Sequence, residues 1–301
     1  MGNPNLVLVL LHEILDLEEE EEIFLAEESW EDLISLPITS ELLSSGIKPD
    51  RAIEIDGGYG TALHLSSPQE FWLLLTDAYA EQKVLEGIRL LSEGISGKKI
   101  NTTKDLFFEG ITEYLSQSLA RELFCESCHV KGGPLYVEDR IKRLTAFLRH
   151  LIPKKSSLLE ICCGNGMATQ SLYELGYSPI SMELDRCELC QGLKSGMLNP
   201  RRSFVMDARL LGSLFDPGSF DVVVGFMMGL IDQVNWNIWK EIVLSPSNLS
   251  SHMALYTVYT QREADLIAKA MKQAGWSAEV IDNRDPRGIY DQWAVLAERK
   301  C

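Results

Sequence analysis

The sequence predicts an α/β protein: a mainly helical N-terminal part, then a mostly parallel seven-stranded sheet that closes with an antiparallel hairpin. Three observations predict it. Beyond about residue 130, short apolar runs alternate with amphipathic stretches of helical length, which calls for parallel strands covered on both faces. The last two apolar runs have no helix between them, so they pair as a hairpin at one edge. The charge changes at the same place: residues 1–130 hold 25 Asp and Glu against 8 Lys and Arg, and residues 131–301 hold 19 against 20.

Taken in order, "VLLHEILDLEEEEEIFLAEESWEDLISL" spaces apolar residues three and four apart and predicts helices, with Glu18 to Glu22 on a solvated face. "RAIEIDGGYGTALHLSS" has two alternating runs about a glycine turn and predicts a β-hairpin. Its acids and glycines imitate a nucleotide loop, but "TALHLSSP" alternates and meets Pro68 instead of entering a helix. Two more helices are expected, in "PQEFWLLLTDAYAEQKVLEGIRLLSEGI", with Pro68 at the first helical position, and in "TKDLFFEGITEYLSQSLARELF". These elements make residues 1–130 an acidic, mainly helical cap and residues 131–301 a second domain.

The second domain opens with a helix in "YVEDRIKRLTAFLRHLIP". Helix spacing is expected to spread the local basic stretch of Lys131, Arg140, Lys142, Arg143, Arg149, Lys154 and Lys155 over a solvated face. The expected strands are "SLLEIC", "SPISMEL", "SFVMD", "FDVVVGF", "HMALYTVYT", "SAEVIDN" and "QWAVLAER". Helices are expected in "GMATQSLYELGY", from about Arg186, near "NWNIWKEIVL" and in "READLIAKAMKQAGW".

A chain of 301 residues, 46% hydrophobic and 24% charged, can bury a sizeable core and excludes disorder. The net charge of −16 opposes nucleic acid, whose binding rests on neutralising phosphates. No apolar stretch reaches the roughly 18–20 residues that cross a bilayer. The N-terminal apolar segment lacks a basic flank and runs into glutamates, unlike a signal peptide. With seven Cys, an odd number, a reducing cytoplasm is the expected compartment.

The most informative residues are "EICCGNGMA", Glu160 to Ala168. A glycine turn between a buried strand and a helix lets backbone approach a ligand closely. An acid at the end of the next strand serves ribose hydroxyls, and Glu183 lies 19 residues after Gly164. Asp207 ends the third strand, where a carboxylate can accept from an adenine amino group. Three acidic strand ends along one edge make one crevice.

With these residues in place, the stretch from about Tyr136 to Lys300 resembles the class I, Rossmann-like S-adenosylmethionine-dependent methyltransferases. Glu160, Gly164 and Gly166 match the family's acidic-x-Gly-x-Gly-x-Gly, while Cys162 replaces its first glycine. The resemblance implies S-adenosylmethionine as cofactor, held by Glu160, Cys162, Gly164, Asn165 and Gly166 in the turn. It also implies Glu183 with Leu184 at the ribose, Asp207 with Ala208 at the adenine, and Phe226 after the fourth strand. An acid at Glu160 suits the cofactor's ammonium and would oppose a dinucleotide's pyrophosphate. The fold does not dictate a catalytic base, and none is assigned. Met227, Met228, Asp232 and Tyr259 either line an acceptor pocket or simply pack core and cap the next helix. The acidic cap is expected to cover the open edge of the sheet and to favour a neutral or cationic acceptor, a small molecule or a protein side chain.

Two CxxC pairs, Cys125 with Cys128 and Cys187 with Cys190, would make a tetrahedral zinc site if folding brought them together; otherwise they are structural thiols. Two other functions stay open on the sequence. One is a non-catalytic scaffold docking a partner through its acidic surface. The other is a metal- or redox-linked enzyme using the cysteine pairs.

Overall fold

The computed structural model describes residues 9–80, 84–121 and 138–299. Its contacts divide the chain into two units, Met1–Arg121 and Glu122–Cys301.

In chain order the N-terminal unit holds α1 (Val9–Leu15), β1 (Ile23–Leu25), α2 (Trp30–Ser35), α3 (Pro37–Ser45), β2 (Arg51–Ile55), β3 (Gly60–Leu65), β4 (Phe71–Leu75), α4 (Leu85–Ser92), β5 (Ser96–Ile100) and α5 (Lys104–Arg121). The strands form one sheet in the order β1-β4-β3-β2-β5. The expected hairpin is β2 and β3, antiparallel with Arg51 opposite His64 and Ile55 opposite Gly60.

The helical expectation for this unit needs correction. Phe71–Leu75 is a strand between β1 and β3, and Pro68 sits in the connection before it rather than at a helix start. Trp72, Leu73, Leu74 and Leu75 are all buried, so both faces of β4 are covered. A short run that is apolar on every side has no period that separates strand from helix. Glu18 to Glu22 lie outside any helix, in the turn between α1 and β1. There Glu21 accepts from the Trp72 indole Nε1 at 2.9 Å. The unit is a five-stranded mixed sheet with helices, rather than the mainly helical cap expected.

The C-terminal unit follows the expected alternation: α6 (Glu138–Leu148), β6 (Leu158–Ile161), α7 (Thr169–Glu174), β7 (Ile180–Glu183), α8 (Arg186–Lys194), β8 (Ser203–Val205), β9 (Phe220–Phe226), α9 (Trp236–Ser247), β10 (Ser250–Val258), α10 (Gln261–Gln273), β11 (Trp276–Asp282) and β12 (Trp293–Arg299). The sheet order is β11-β12-β10-β9-β6-β7-β8. Strands β6 to β10 are parallel, and β12 runs antiparallel to both β10 and β11. This Rossmann-like, seven-stranded sheet with a reversed terminal hairpin is the architecture the resemblance implies.

Its core follows from residue spacing. On α6, Ile141, Leu144, Thr145 and Leu148 fall three or four apart and are buried. Leu144 and Leu148 pack with Val222 and Val224 of β9 and with Met253 and Leu255 of β10. α10 starts from a complete capping box: Thr260 Oγ1 accepts from the Glu263 N–H, and the Glu263 carboxylate accepts from the Thr260 N–H. Among the described residues no helix is long and apolar enough to cross a membrane.

Candidate functional site

Strands β6, β7 and β8 lie side by side, with Ile161 paired to Met182 and Glu183 paired to Val205. This register brings Glu160, Glu183 and Asp207 to the carboxyl edge of the sheet, where ligands of open α/β sheets bind. Cys162 lies among them. Burial first, then the charges of Glu183, Asp207 and Glu160, push its thiol pKa well up.

Glu160 is fully buried. Its Oε2 accepts from Thr169 Oγ1 and from Ser181 Oγ, both at 2.8 Å, while Oε1 has no partner among the described residues. Burial raises its pKa to about 7, opposed by the two hydroxyl bonds and by the Arg140 charge.

The turn after β6 is left-handed at two places before Gly166. Cys162, with φ 53°, takes the conformation usually reserved for glycine. Gly164, with φ 56°, donates its N–H to Glu183 Oε2 at 2.8 Å. A Cβ on Gly164 would meet nothing nearer than Glu188 Oε2 at 3.9 Å, so the turn faces open room. Gly166 is different, because a Cβ there would stand 2.7 Å from the Leu198 side chain. The missing Cβ there lets the loop pack closely on Leu198. Asn165 turns inward as well, its Oδ1 accepting from the Met167 N–H at 3.3 Å.

Glu183 is held by backbone throughout. Besides Gly164, its Oε1 accepts from the N–H groups of Leu184 at 2.8 Å and Asp185 at 3.0 Å. Leu184 itself is exposed. Asp207 accepts from the Arg209 N–H at 2.9 Å and pairs with the Arg209 guanidinium, which lowers its pKa. Ala208 is buried beside it.

Phe226, the last residue of β9, and Met228 beyond it are buried, and Phe226 belongs to the same core as Leu144. Met227 is left-handed, with φ 56°, and its N–H donates to both the carbonyl and Oγ1 of Thr257 at 3.0 Å. Asp232 accepts from the N–H groups of Val234 at 2.7 Å and Asn235 at 3.0 Å, a turn ahead of α9. Tyr259 is partly open, whereas Tyr256 is wholly buried with its hydroxyl on Ser247 Oγ at 2.7 Å. Of the cysteine pairs, Cys187 and Cys190 lie one turn apart on α8, the first half-buried and the second buried, and Cys125 and Cys128 lie outside the described residues. Among the described residues no group of three His, Cys, Asp or Glu is arranged to hold a metal.

One cluster escaped the sequence reading. Arg140 is not on a solvated face but buried, its Nε donating to Asp291 Oδ2 at 2.7 Å and its Nη2 to Oδ1 at 3.2 Å. Asp291 Oδ1 also accepts from Thr257 Oγ1 at 2.7 Å, and the Tyr290 ring covers the guanidinium at 4.8 Å. The available signal was position: Arg140 precedes Leu144 by four residues and so shares the apolar face of α6.

No family model and no curated protein matches the chain. Solved structures do. Magnesium protoporphyrin IX methyltransferase from Synechocystis PCC 6803, with bound SAM, is 13% identical over 66% of this chain and 85% of its own, with a TM-score of 0.40. DesVI of Streptomyces venezuelae is 12% identical over 54% of this chain and 93% of its own, with a TM-score of 0.42. CalS10, an amino pentose methyltransferase from Micromonospora echinaspora, is 14% identical over 54% of this chain and 91% of its own, with a TM-score of 0.41.

Proposed function

We propose that this chain is an S-adenosylmethionine-dependent methyltransferase acting on a small molecule or a protein side chain. The observation that carries the reading is the meeting of three carboxylates around Cys162, at the ends of adjacent parallel strands and beside the open Gly164 turn. The residues present fit the cofactor chemically. Glu160 Oε1, buried and without a partner, is suited to a cationic group such as an ammonium. Glu183 offers remaining lone pairs to ribose hydroxyls, and the exposed Leu184 offers an apolar wall beside it. Asp207, kept ionised by Arg209, is suited to an amino donor such as that of adenine.

When bound, the cofactor supplies a sulfonium methyl already activated toward nucleophiles. The chain's own part is binding, alignment and exclusion of water. The loop after β9 and the end of β10, joined through Met227 and Thr257, are positioned to align an acceptor.

Calorimetry with S-adenosylmethionine and S-adenosylhomocysteine tests the assignment. Glu183→Ala and Asp207→Ala are each expected to weaken binding by about 1–3 kcal/mol through lost charge-assisted hydrogen bonds. Unchanged affinity in both variants would refute it.

A further inference from the structure

Packing alone does not call for Arg140 and Asp291. Taking a guanidinium and a carboxylate out of water is costly, and apolar residues of similar volume would fill the same space without that cost. Both side chains are nonetheless buried, and Asp291 holds the left-handed conformation, with φ 57°. Such strain persists where the surroundings enforce it, commonly near ligand sites.

The pair is enclosed by the loops proposed to align an acceptor. Asp291 Oδ1 accepts from Thr257 Oγ1 near the end of β10, and that hydroxyl in turn accepts from the Met227 N–H after β9. The Asp291 N–H reaches Met227 Sδ at 3.0 Å, and the Asn283 side chain donates to the Asp291 carbonyl at 2.8 Å. Asp291 thus joins the loop after β9, the end of β10 and the β11–β12 connection.

The same arginine bears on the cofactor side. Its neighbour Ile141 accepts, through its carbonyl, from Ser171 Oγ of α7 at 3.3 Å. Two residues earlier Thr169 opens that helix and donates to Glu160 at 2.8 Å. Across this contact the Arg140 charge favours the ionised form of Glu160, against burial and the Glu183 charge. Glu160 Oε1 has no partner among the described residues. A buried guanidinium and a buried carboxylate oxygen without a partner attract each other strongly at low dielectric. What occupies the guanidinium instead is the two-pronged grip of Asp291 on Nε and Nη2.

Resting on the methyltransferase reading, we infer that Asp291 is a positioning residue for the cofactor site: it neutralises Arg140 and keeps the guanidinium from Glu160 Oε1, leaving that oxygen to the cofactor's ammonium. Because Asp291 is also tied to Met227 and Thr257, the acceptor-side loops and the cofactor's amino-acid end are coupled through one ion pair.

The test measures calorimetric binding to the full chain of two ligands: S-adenosylhomocysteine, which carries the amino-acid end, and 5′-methylthioadenosine, which lacks it. Asp291→Asn keeps the shape of the side chain and removes its charge. It is expected to weaken S-adenosylhomocysteine by about tenfold or more, because a buried cation without its partner acts through a low dielectric, and to leave 5′-methylthioadenosine unchanged. The Arg140→Gln, Asp291→Asn double variant removes both charges and is expected to recover the S-adenosylhomocysteine affinity, which a merely structural role of Asp291 would not allow. Unchanged or tighter S-adenosylhomocysteine binding in Asp291→Asn overturns the inference, the latter because the guanidinium would then serve the ligand's carboxylate. So does an equal loss for both ligands, or a double variant as weak as the single one. If Asp291→Asn does not fold, Thr257→Val takes its place, removing a hydroxyl donor of Asp291 while keeping the ion pair. A loss of about twofold or more confined to S-adenosylhomocysteine is then expected, and no loss overturns the inference. Failure of the unaltered chain to bind either ligand refutes the methyltransferase reading and this coupling with it, whereas binding that the variants leave unchanged refutes the coupling alone.

Discussion

Glu160 ought to make the protein less stable as the pH rises toward neutrality. Its carboxyl is fully buried, and burial lifts its pKa from 4.5 to about 7. Below pH 4.5 folded and unfolded chains both hold the proton, and the group contributes no penalty. Between 4.5 and about 7 the unfolded chain has lost the proton while the folded chain retains it, so stability falls with pH. At about 1.36 kcal/mol per unit, the full shift is worth roughly 3 kcal/mol, nearly all of it expressed by pH 8. Glu160→Gln keeps the shape and the acceptor for Thr169 and Ser181 but cannot ionise. Urea unfolding of both proteins from pH 5 to pH 8 isolates the group, since other titrations cancel in the difference. The variant's advantage is expected to grow by roughly 2 kcal/mol over that range. Parallel curves would show that Glu160 does not titrate there and that its Oε1 is not an unpaired acceptor. Calorimetry of S-adenosylmethionine binding near pH 6.5, repeated in buffers of different ionisation enthalpy, is expected to show proton release as a cation draws Glu160 into its charged form.

Other substitutions probe other parts of the fold. Arg140→Ala leaves Asp291 buried without its cation and is expected to cost about 3–5 kcal/mol in denaturant unfolding, whereas the Arg140→Ala, Asp291→Ala double variant recovers part of that loss. Gly166→Ala forces a Cβ against Leu198 at a φ of 84° and is expected to lower stability by about 1–3 kcal/mol, with a partial recovery when Leu198→Ala makes room. Trp30→Ala removes a fully buried ring stacked on Phe108 at 4.6 Å, and a loss of about 3–5 kcal/mol is expected by thermal or urea unfolding.

The C-terminal unit was legible in the sequence because its signals are local. Each strand is a short apolar run closed by a turn, each helix has a 3.6-residue period, and Thr260 with Glu263 caps α10 within four residues. The positions of Glu160, Glu183 and Asp207 followed from the same punctuation, since a side chain at the end of a parallel strand must reach the sheet's edge. What the carboxylates do there was not legible. The three backbone donors on Glu183, the Arg209 partner of Asp207 and the orphaned Oε1 of Glu160 depend on how loops close in space.

The sequence by itself determined the alternating αβ order, the reversed terminal hairpin and the row of acids, all written in neighbours along the chain. Only the tertiary structure decided that Phe71–Leu75 is a strand, because its neighbours β1 and β3, not its own periodicity, complete its hydrogen bonds. Only it decided that Arg140 is buried, because the partner Asp291 lies 151 residues away. And only it brought Met227, Thr257 and Asp291 together, because strand direction, invisible in any single segment, sets which loops share an end of the sheet.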